Sequence, residues 1–437
     1  MSFLNILRKI TPKFVFYFYH LSWAFLSALV YGFPSKKIKV IGITGTDGKT
    51  TTAEMIYTIL TEAGYKTAIF SSIKIKVGEK EEKNMYKMTM PGRGATQKFL
   101  KRAVKEKCQY AIVEVTSEGI VQHRHRFIDF EAVVLTNLNK EHLERHGGFE
   151  NYRNAKLELF RATKENHIIN IDDKNAEFFL NIFSKRKWLY GIDGSNLLFD
   201  FNNIAKEVLV AQNIEFFEDS TTFFVKNKKI KLNLLGKFNV YNALAAIGAA
   251  LSQGISLDIC ASALAKVKNV SGRMEIVSKK PLVFVDYAHT PNALTNVYET
   301  VNNFKKGDSK LICVLGAAGG GRDKWKRKEL GRIADNYCDF AILTNEDPYD
   351  ENPEDILNEI ETGFLKISEN GKPARKSQKY EKILDRKEAI KKAINFAKPD
   401  DIICITGKGR EPLMCIANDK KIKWDDREIV EEFLKAL

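Results

Sequence analysis

The chain has 437 residues, 44% hydrophobic and 28% charged, the balance of a soluble globular protein and more length than one compact core takes. Its formal net charge of +14 points to anionic partners such as nucleotides, sugar phosphates or an acidic surface. The basic residues are spread out, apart from short runs such as Lys324, Lys326, Arg327 and Lys328, and no RNA-recognition or helix-turn-helix pattern occurs, which argues against nucleic acid.

Phe14 to Phe33 form an apolar, aromatic stretch broken only by His20, Ser22, Ser27 and Gly32. As a helix it would be about 30 Å long, enough to cross a bilayer. Arg8, Lys9 and Lys13 precede it and Lys36 and Lys37 follow, so the flanks set no orientation. Residues 14–33 therefore read as a segment on or in a membrane, or as a helix docked on the protein or on a second copy. Tyr17, Tyr19, Trp23 and Tyr31 lean towards an interfacial place.

From Ile38 the pattern alternates strand and helix. Ile38–Ile43 predicts a buried strand and Ala53–Ala63 a helix stopped by Gly64, with further strands at Tyr110–Val115, Ala132–Thr136 and His167–Ile171. Short β-type runs between about 187 and 235 predict an antiparallel insertion. A second α/β series opens near Pro281 with Leu282–Asp286 and continues through Leu311–Leu315, Phe340–Thr344 and Ile402–Thr406. The expected fold class is α/β: a doubly wound, mostly parallel sheet domain with a small antiparallel insertion, then a Rossmann-like domain. The expected limits are 1–36 for the hydrophobic segment, 37–271 for the central domain and 272–437 for the last. The six cysteines (Cys108, Cys260, Cys313, Cys338, Cys404 and Cys415) form no C-x-x-C, so they read as reduced, buried small hydrophobes in a cytoplasmic protein.

Between the first strand and the first helix lies Thr44-Gly-Thr-Asp-Gly-Lys-Thr-Thr-Thr52. Its glycines let backbone N–H groups face a phosphate at a helix N-terminus. Gly45, Thr46, Asp47, Gly48, Lys49, Thr50 and Thr51 would bind ATP, with Lys49 on the terminal phosphates and Thr50 on Mg²⁺. The spacing departs from the Walker form, with two residues between Gly45 and Gly48. This loop resembles that of the Mur ligase family, ATP-dependent enzymes that activate a carboxylate as an acyl phosphate and join it to an amine. The likeness recurs in order over residues 38–437 and is strongest to the family's tripeptide-synthetase branch.

The resemblance implies ATP and two Mg²⁺ ions as cofactors. Glu114-Val-Thr-Ser-Glu-Gly-Ile-Val-Gln-His-Arg124 resembles E-V-S-S-H-G-L-x-Q-x-R, which makes Glu114 a metal ligand and puts Ser117, Gln122 and Arg124 on the acceptor, while Glu118 stands in place of the family His. Thr136–His142 and Asn154-Ala-Lys156 resemble segments supplying His142 as a metal ligand and Lys156 as a carbamylated one. Asn239 and Asn242 resemble adenine contacts, while Arg273, Asp286 and His289 resemble residues that bring the last domain onto ATP. The catalytic group so implied is Lys49, Glu114, His142 and Lys156. Leu315–Lys324 resembles a glycine-rich strand exit.

For the incoming amino acid the resemblance points to Asp347, Tyr349, Asp350, Gly407 and Glu411, but Tyr349 replaces an arginine and Arg410 a histidine. Losing that arginine removes a bidentate carboxylate partner, and the two aspartates would favour a basic side chain such as lysine. Thr89 falls in a partial match to the acceptor-binding T-T-P, with Met90 for the second Thr. About 37 residues precede the first strand, where the family carries a UDP-gripping domain, so residues 14–33 are expected to stand in for it. The expected small molecules are ATP, a muramyl-peptide-like acceptor and an amino acid, used in peptidoglycan synthesis. The alternatives are another or lipid-linked carboxylate, or a non-catalytic nucleotide-binding scaffold.

Overall fold

Buried strands alternating with amphipathic helices leave few arrangements other than a layered one. The computed structural model describes residues 12–86, 88–92, 94–192, 205–367, 373–376 and 379–436. Its larger sheet has eleven strands: β1 (Lys39–Thr44), β2 (Thr67–Phe70), β3 (Lys74–Val77), β4 (Lys80–Lys83), β5 (Tyr110–Glu114), β6 (Phe130–Leu135), β7 (Asn166–Asn170), β8 (Arg186–Ile192), β9 (Glu207–Phe216), β10 (Thr221–Val225) and β11 (Lys228–Leu232). They lie in the order β11-β10-β9-β8-β7-β6-β1-β5-β2-β3-β4. β1 runs parallel to both its neighbours, β5 and β6, and the parallel run extends from β2 to β9.

The expected antiparallel stretch is present as β9, β10 and β11, built onto the edge of the same sheet. β8 and β9 still pair in parallel, and β10 and β11 continue the same sheet antiparallel to β9 and to each other. Residues 193–204 of that stretch lie outside the described residues. An unexpected second antiparallel edge, β2–β3–β4, ends on the fully exposed Lys80–Lys83, whose charged residues carry no apolar alternation to read.

Helices Lys49–Glu62 and Lys237–Ser252 cover one face of the sheet; Ala95–Lys105 and Phe149–Ala162 cover the other. In β1 a Cβ on Gly42 would meet the Phe130 ring at 2.9 Å, so the central strand is packed to the backbone.

A second, six-stranded sheet follows. In spatial order it holds Glu275–Lys279, Leu282–Val285, Ile402–Ile405, Leu311–Leu315, Phe340–Leu343 and Tyr380–Lys382, antiparallel only in the first pair. Its central strands are buried on both faces, as a parallel sheet between helices requires. Arg386 and Asp426, each 0% exposed, form a bidentate pair there at 2.9 and 2.7 Å.

The expectation that all cysteines are reduced is not met: Cys313 and Cys338 are disulfide-bonded, while Cys108, Cys260, Cys404 and Cys415 are free and buried. The end of helix Trp325–Tyr337 brings the Cys338 Cα to 6.1 Å from that of Cys313, within disulfide reach, and their spacing of 25 residues gives no sign of it.

The apolar N-terminal stretch is a helix, Lys13–Tyr31, ended by Gly32 at φ 71°. Arg8 and Lys9 of its basic flank lie outside the described residues. The helix docks along one stripe. Ala28 is fully buried, Ser27 packs where a Cβ on Gly94 would clash at 2.8 Å, and Tyr17 and Phe25 meet the rings of His123 and Phe127 edge to face.

Candidate active site

The phosphate loop is set by backbone geometry. Gly45 (φ 151°) and Gly48 (φ 80°) hold conformations closed to other residues, and Gly48 starts the helix at Lys49, earlier than the apolar pattern implied. There is no room for side chains either. A Cβ on Gly45 would lie 1.8 Å from Thr136 Oγ1, and one on Gly48 would lie 2.3 Å from Asn242 Oδ1.

The segment after β6 braces the loop. Asp47 N–H donates to Asn137 Oδ1 (2.9 Å), Thr136 Oγ1 donates to the Asp47 carbonyl (2.7 Å) and Thr46 N–H donates to the Asn137 carbonyl (2.9 Å). Lys49 Nζ folds back on the carbonyls of Gly45 and Thr46 at 3.0 and 2.8 Å. Burial lowers its pKa against the pull of Glu114 and Asp47.

At the ends of β2 and β5 oxygen atoms converge. Glu114, 0% exposed, accepts from Ser72 N–H and Oγ at 2.8 and 3.0 Å. Ser72 Oγ also meets Thr50 Oγ1 (3.4 Å) and Thr89 Oγ1 (2.9 Å). Thr50, Ser72 and Glu114 are hard oxygen donors on rigid elements and fit Mg²⁺. Ser72 was not foreseen, since nothing marks one serine after a strand.

A second ion is a different matter. Lys156 Nζ lies beneath the loop, donating to the Gly45 carbonyl at 2.8 Å and Thr44 Oγ1 at 3.4 Å, and burial with Lys49 nearby drives its pKa well down. As an ammonium it would repel a cation, and as a neutral amine it brings no negative charge to one. His142 (φ 55°) sits before the short helix Leu143–His146, 3.8 Å from Glu118, and is kept neutral first by burial and then by Arg322 and Lys326. Among the described residues no three His, Cys, Asp or Glu side chains converge as a metal cage. The His142–Lys156 corner fits a cation only once Lys156 carries a negative group.

After β5, Ser117 Oγ meets His146 Nε2 at 3.1 Å, and Glu118 pairs with Arg145 at 3.1 Å. Arg124 donates to the Met90 carbonyl and to Gln122 Oε1. Gln122 thus positions Arg124 and stands outside the cleft lining, whereas Thr89, Ser117 and Arg124 line it.

Residues from the second sheet close over the loop. Arg273 Nη2 lies 3.4 Å from Thr50 Oγ1, its guanidinium 4.4 Å from the Tyr287 ring centre. Thr290 Oγ1 donates to Asp47 Oδ1 at 3.0 Å, and Lys326 Nζ reaches Glu141 at 2.8 Å with both side chains buried. Lys326 and Arg327, read above as a charged run, are 2% and 1% exposed because the helix turns them inward onto Glu141, Glu351 and Glu359. Asp286 accepts from Met274 and Ala288 N–H groups, both at 2.6 Å, and His289 is held by the Tyr287 carbonyl at 2.9 Å. Asn242 lines the cleft, while Asn239 lies beneath it, donating to the Leu235 carbonyl and accepting from Asn242.

At the far end Lys408, fully buried, holds Asp347 (3.0 Å) and Glu411 (2.6 Å), and Tyr287 Oη donates to Glu411 Oε1 at 3.2 Å. Tyr349 lines the cleft; Asp350 does not, being exposed and capping the Asn418 N–H at 2.8 Å. Gly407 (φ 106°) also stands behind the lining, leaving room for Glu346, whose Oε2 a Cβ there would meet at 2.7 Å. That oxygen is buried without a hydrogen-bond partner. Glu346 was missed because its neighbour Asp347 drew the match, and Arg322, also on the lining, was seen only as part of a glycine-rich exit. Arg410 faces away, paired with Asp425 at 3.1 Å.

Phosphate loop, oxygen cluster, covering residues and this acidic end share one cleft of about 1880 Å³. Residues 43–250 match the Mur ligase middle domain and residues 272–409 the Mur ligase glutamate ligase domain. The chain belongs to the Mur ligase family. It is an ATP-dependent ligase that forms amide bonds, and the family's Mg²⁺ requirement comes with it.

Among curated relatives, this Mur ligase is 38% identical over 418 residues to the UDP-N-acetylmuramoyl-L-alanyl-D-glutamate–2,6-diaminopimelate ligase of Clostridium botulinum, covering 95% of this chain and 81% of that one. It is 35% identical over 425 residues to the ligase of the same name from Bacillus cereus, covering 94% and 81%. A solved diaminopimelate ligase of that name superposes with a TM-score of 0.57 at 29% identity, over 91% of this chain and 78% of that one. Mycobacterium tuberculosis folylpolyglutamate synthase with ADP shares the fold: TM-score 0.67, 16% identity, 89% and 91% covered.

Proposed function

We propose that this Mur ligase adds a diamino acid to a UDP-muramyl-peptide-like carboxylate in peptidoglycan synthesis, in the cytoplasm. The carrying observation is the single cleft that joins the phosphate loop and the Thr50–Ser72–Glu114 oxygens to the acidic end at Glu346 and Glu411.

The γ-phosphoryl group passes to the acceptor carboxylate, giving an acyl phosphate and ADP. The amine attacks the acyl carbon, and the tetrahedral intermediate expels phosphate. Bringing two anions together makes positioning and charge neutralisation the main tasks. Lys49, Arg273 and the N-terminus of helix Lys49–Glu62 supply positive charge at the phosphates. Mg²⁺ held by Thr50, Ser72 and Glu114 neutralises further charge when bound. Residues 37–271 form the ATP-binding half, and residues 272–437 form the half that closes on it, through Asp286, His289 and Arg273.

Lys156 becomes a ligand by adding CO₂. Its amine is buried and pushed towards the neutral form that reacts with CO₂, and the resulting carbamate would let it join His142 around a second ion. Thr89, Ser117 and Arg124 face the acceptor. Tyr349 in place of an arginine, with Glu346 beside it, supports a side chain ending in an ammonium, hence lysine over diaminopimelate. Residues 14–33 are proposed as a contact surface for a membrane or for a second copy. Their edge-to-face contacts with His123 and Phe127, beside Arg124, also support a lipid-linked acceptor as the second reading.

Phosphate release should be followed across UDP-linked and lipid-linked muramyl dipeptides and a set of amino acids. Release with lysine in clear preference to diaminopimelate is expected. Equal use of lysine and diaminopimelate contradicts the amino-acid assignment, and no release with any pair contradicts the whole reading.

A further inference from the structure

Helix Lys13–Tyr31 leaves a wide apolar arc uncovered. Phe18 is 61% exposed, Leu29 54% and Val30 77%, with Phe14, Trp23 and Leu26 on the same open side. An apolar patch of this extent on a water-facing surface marks a contact. Three observations say with what.

The opposite stripe is already occupied, by the Gly94 turn at Ser27 and by the rings of His123 and Phe127. A helix spanning a bilayer would have to leave those contacts, whereas one lying flat keeps them. No acidic residue occurs between Lys13 and Tyr31, while exposed Lys36, Lys37, Lys98 and Lys101 gather about its C-terminal end. Lys101 Nζ comes within 3.9 Å of where a Cβ on Gly32 would be. A basic rim beside an apolar arc complements anionic headgroups over an acyl boundary. The same helix of a second copy holds no acidic residue, so it offers this basic rim no opposite charge. Trp23 and Tyr19 on the open side suit the same boundary.

We propose that helix Lys13–Tyr31 seats this protein flat on an anionic lipid bilayer, its outer arc in the headgroup–acyl boundary and its basic rim on the headgroups. The acceptor-side turn at His123 and Arg124 then lies next to the lipid. The proposal needs no acceptor and does not depend on which one is used.

The test is flotation of the full chain with vesicles of phosphatidylcholine alone or mixed with phosphatidylglycerol. Binding to the mixed vesicles roughly tenfold or more tighter, and weakened by salt, is expected. L26E/V30E should abolish binding while leaving ATP binding intact; K36E/K37E should keep weak binding and lose the anionic preference. Equal binding to both vesicle types overturns the proposal. So does a dimer dissolved by L26E/V30E with no vesicle binding, and so does protein that alkaline carbonate cannot strip from the vesicles. Each of these outcomes leaves the ligase reading standing.

Discussion

Glu346 carries a buried carboxylate oxygen with no hydrogen-bond partner, on the lining of the cleft proposed to receive the amino acid. Such a group is costly in the empty protein and useful when a cationic ligand arrives. Burial, reinforced by Asp347, raises its carboxyl above the ordinary value of 4.5. The folded chain therefore holds that proton more tightly than the unfolded chain. The stabilisation is full below the ordinary value and is lost as pH rises through the folded one. E346Q has no charge to bury, so its stability relative to wild type should rise with pH from 4.5 towards neutrality while diamino-acid use falls. Thermal unfolding across that range checks this; a gap that stays flat or shrinks contradicts it. Lys156 gives a second prediction at this scale. K156A should lose about 10²–10³-fold in kcat and regain part of it with added short carboxylic acids, a carboxylate replacing the carbamate. K156A with no loss removes Lys156 from catalysis.

Among elements, the junction between the two sheets rests on a few long-range pairs. Asp323 accepts from the Leu143 and Glu144 N–H groups at 3.0 Å each, Thr290 reaches Asp47, and Lys326 meets Glu141. Burial raises the Glu141 pKa although Lys326 pulls it down, so this pair is costly to break on one side. K326M should destabilise by about 3–5 kcal/mol, and K326M/E141L should recover most of it. Denaturant unfolding measures both, and simple additivity contradicts the pairing. The phosphate loop and the parallel strands were legible because their signals are local: glycines before a helix, mostly apolar runs five or six residues long. The Lys326–Glu141 pair, 185 residues apart, and the Cys313–Cys338 bond were not legible, because only tertiary packing makes them neighbours. Asn239 and Gln122 sit at matched positions and yet brace Asn242 and Arg124, since a motif records spacing and not which side chain faces the cleft.

For the whole molecule, two sheets and one shared cleft make catalysis a property of their approach. Lys49, Thr50 and Glu114 come from the larger sheet's side and Arg273, His289 and Glu346 from the smaller sheet's side, and all six line the same cleft. The apolar helix lies outside that cleft, against the turn at His123 and Phe127. The central claim is that ATP activates a carboxylate as an acyl phosphate before the amine attacks. The direct measurement is transfer of ¹⁸O from an acceptor labelled in its reacting carboxylate, read in the phosphate released during turnover. One ¹⁸O per phosphate is the predicted result; phosphate free of label would contradict the account.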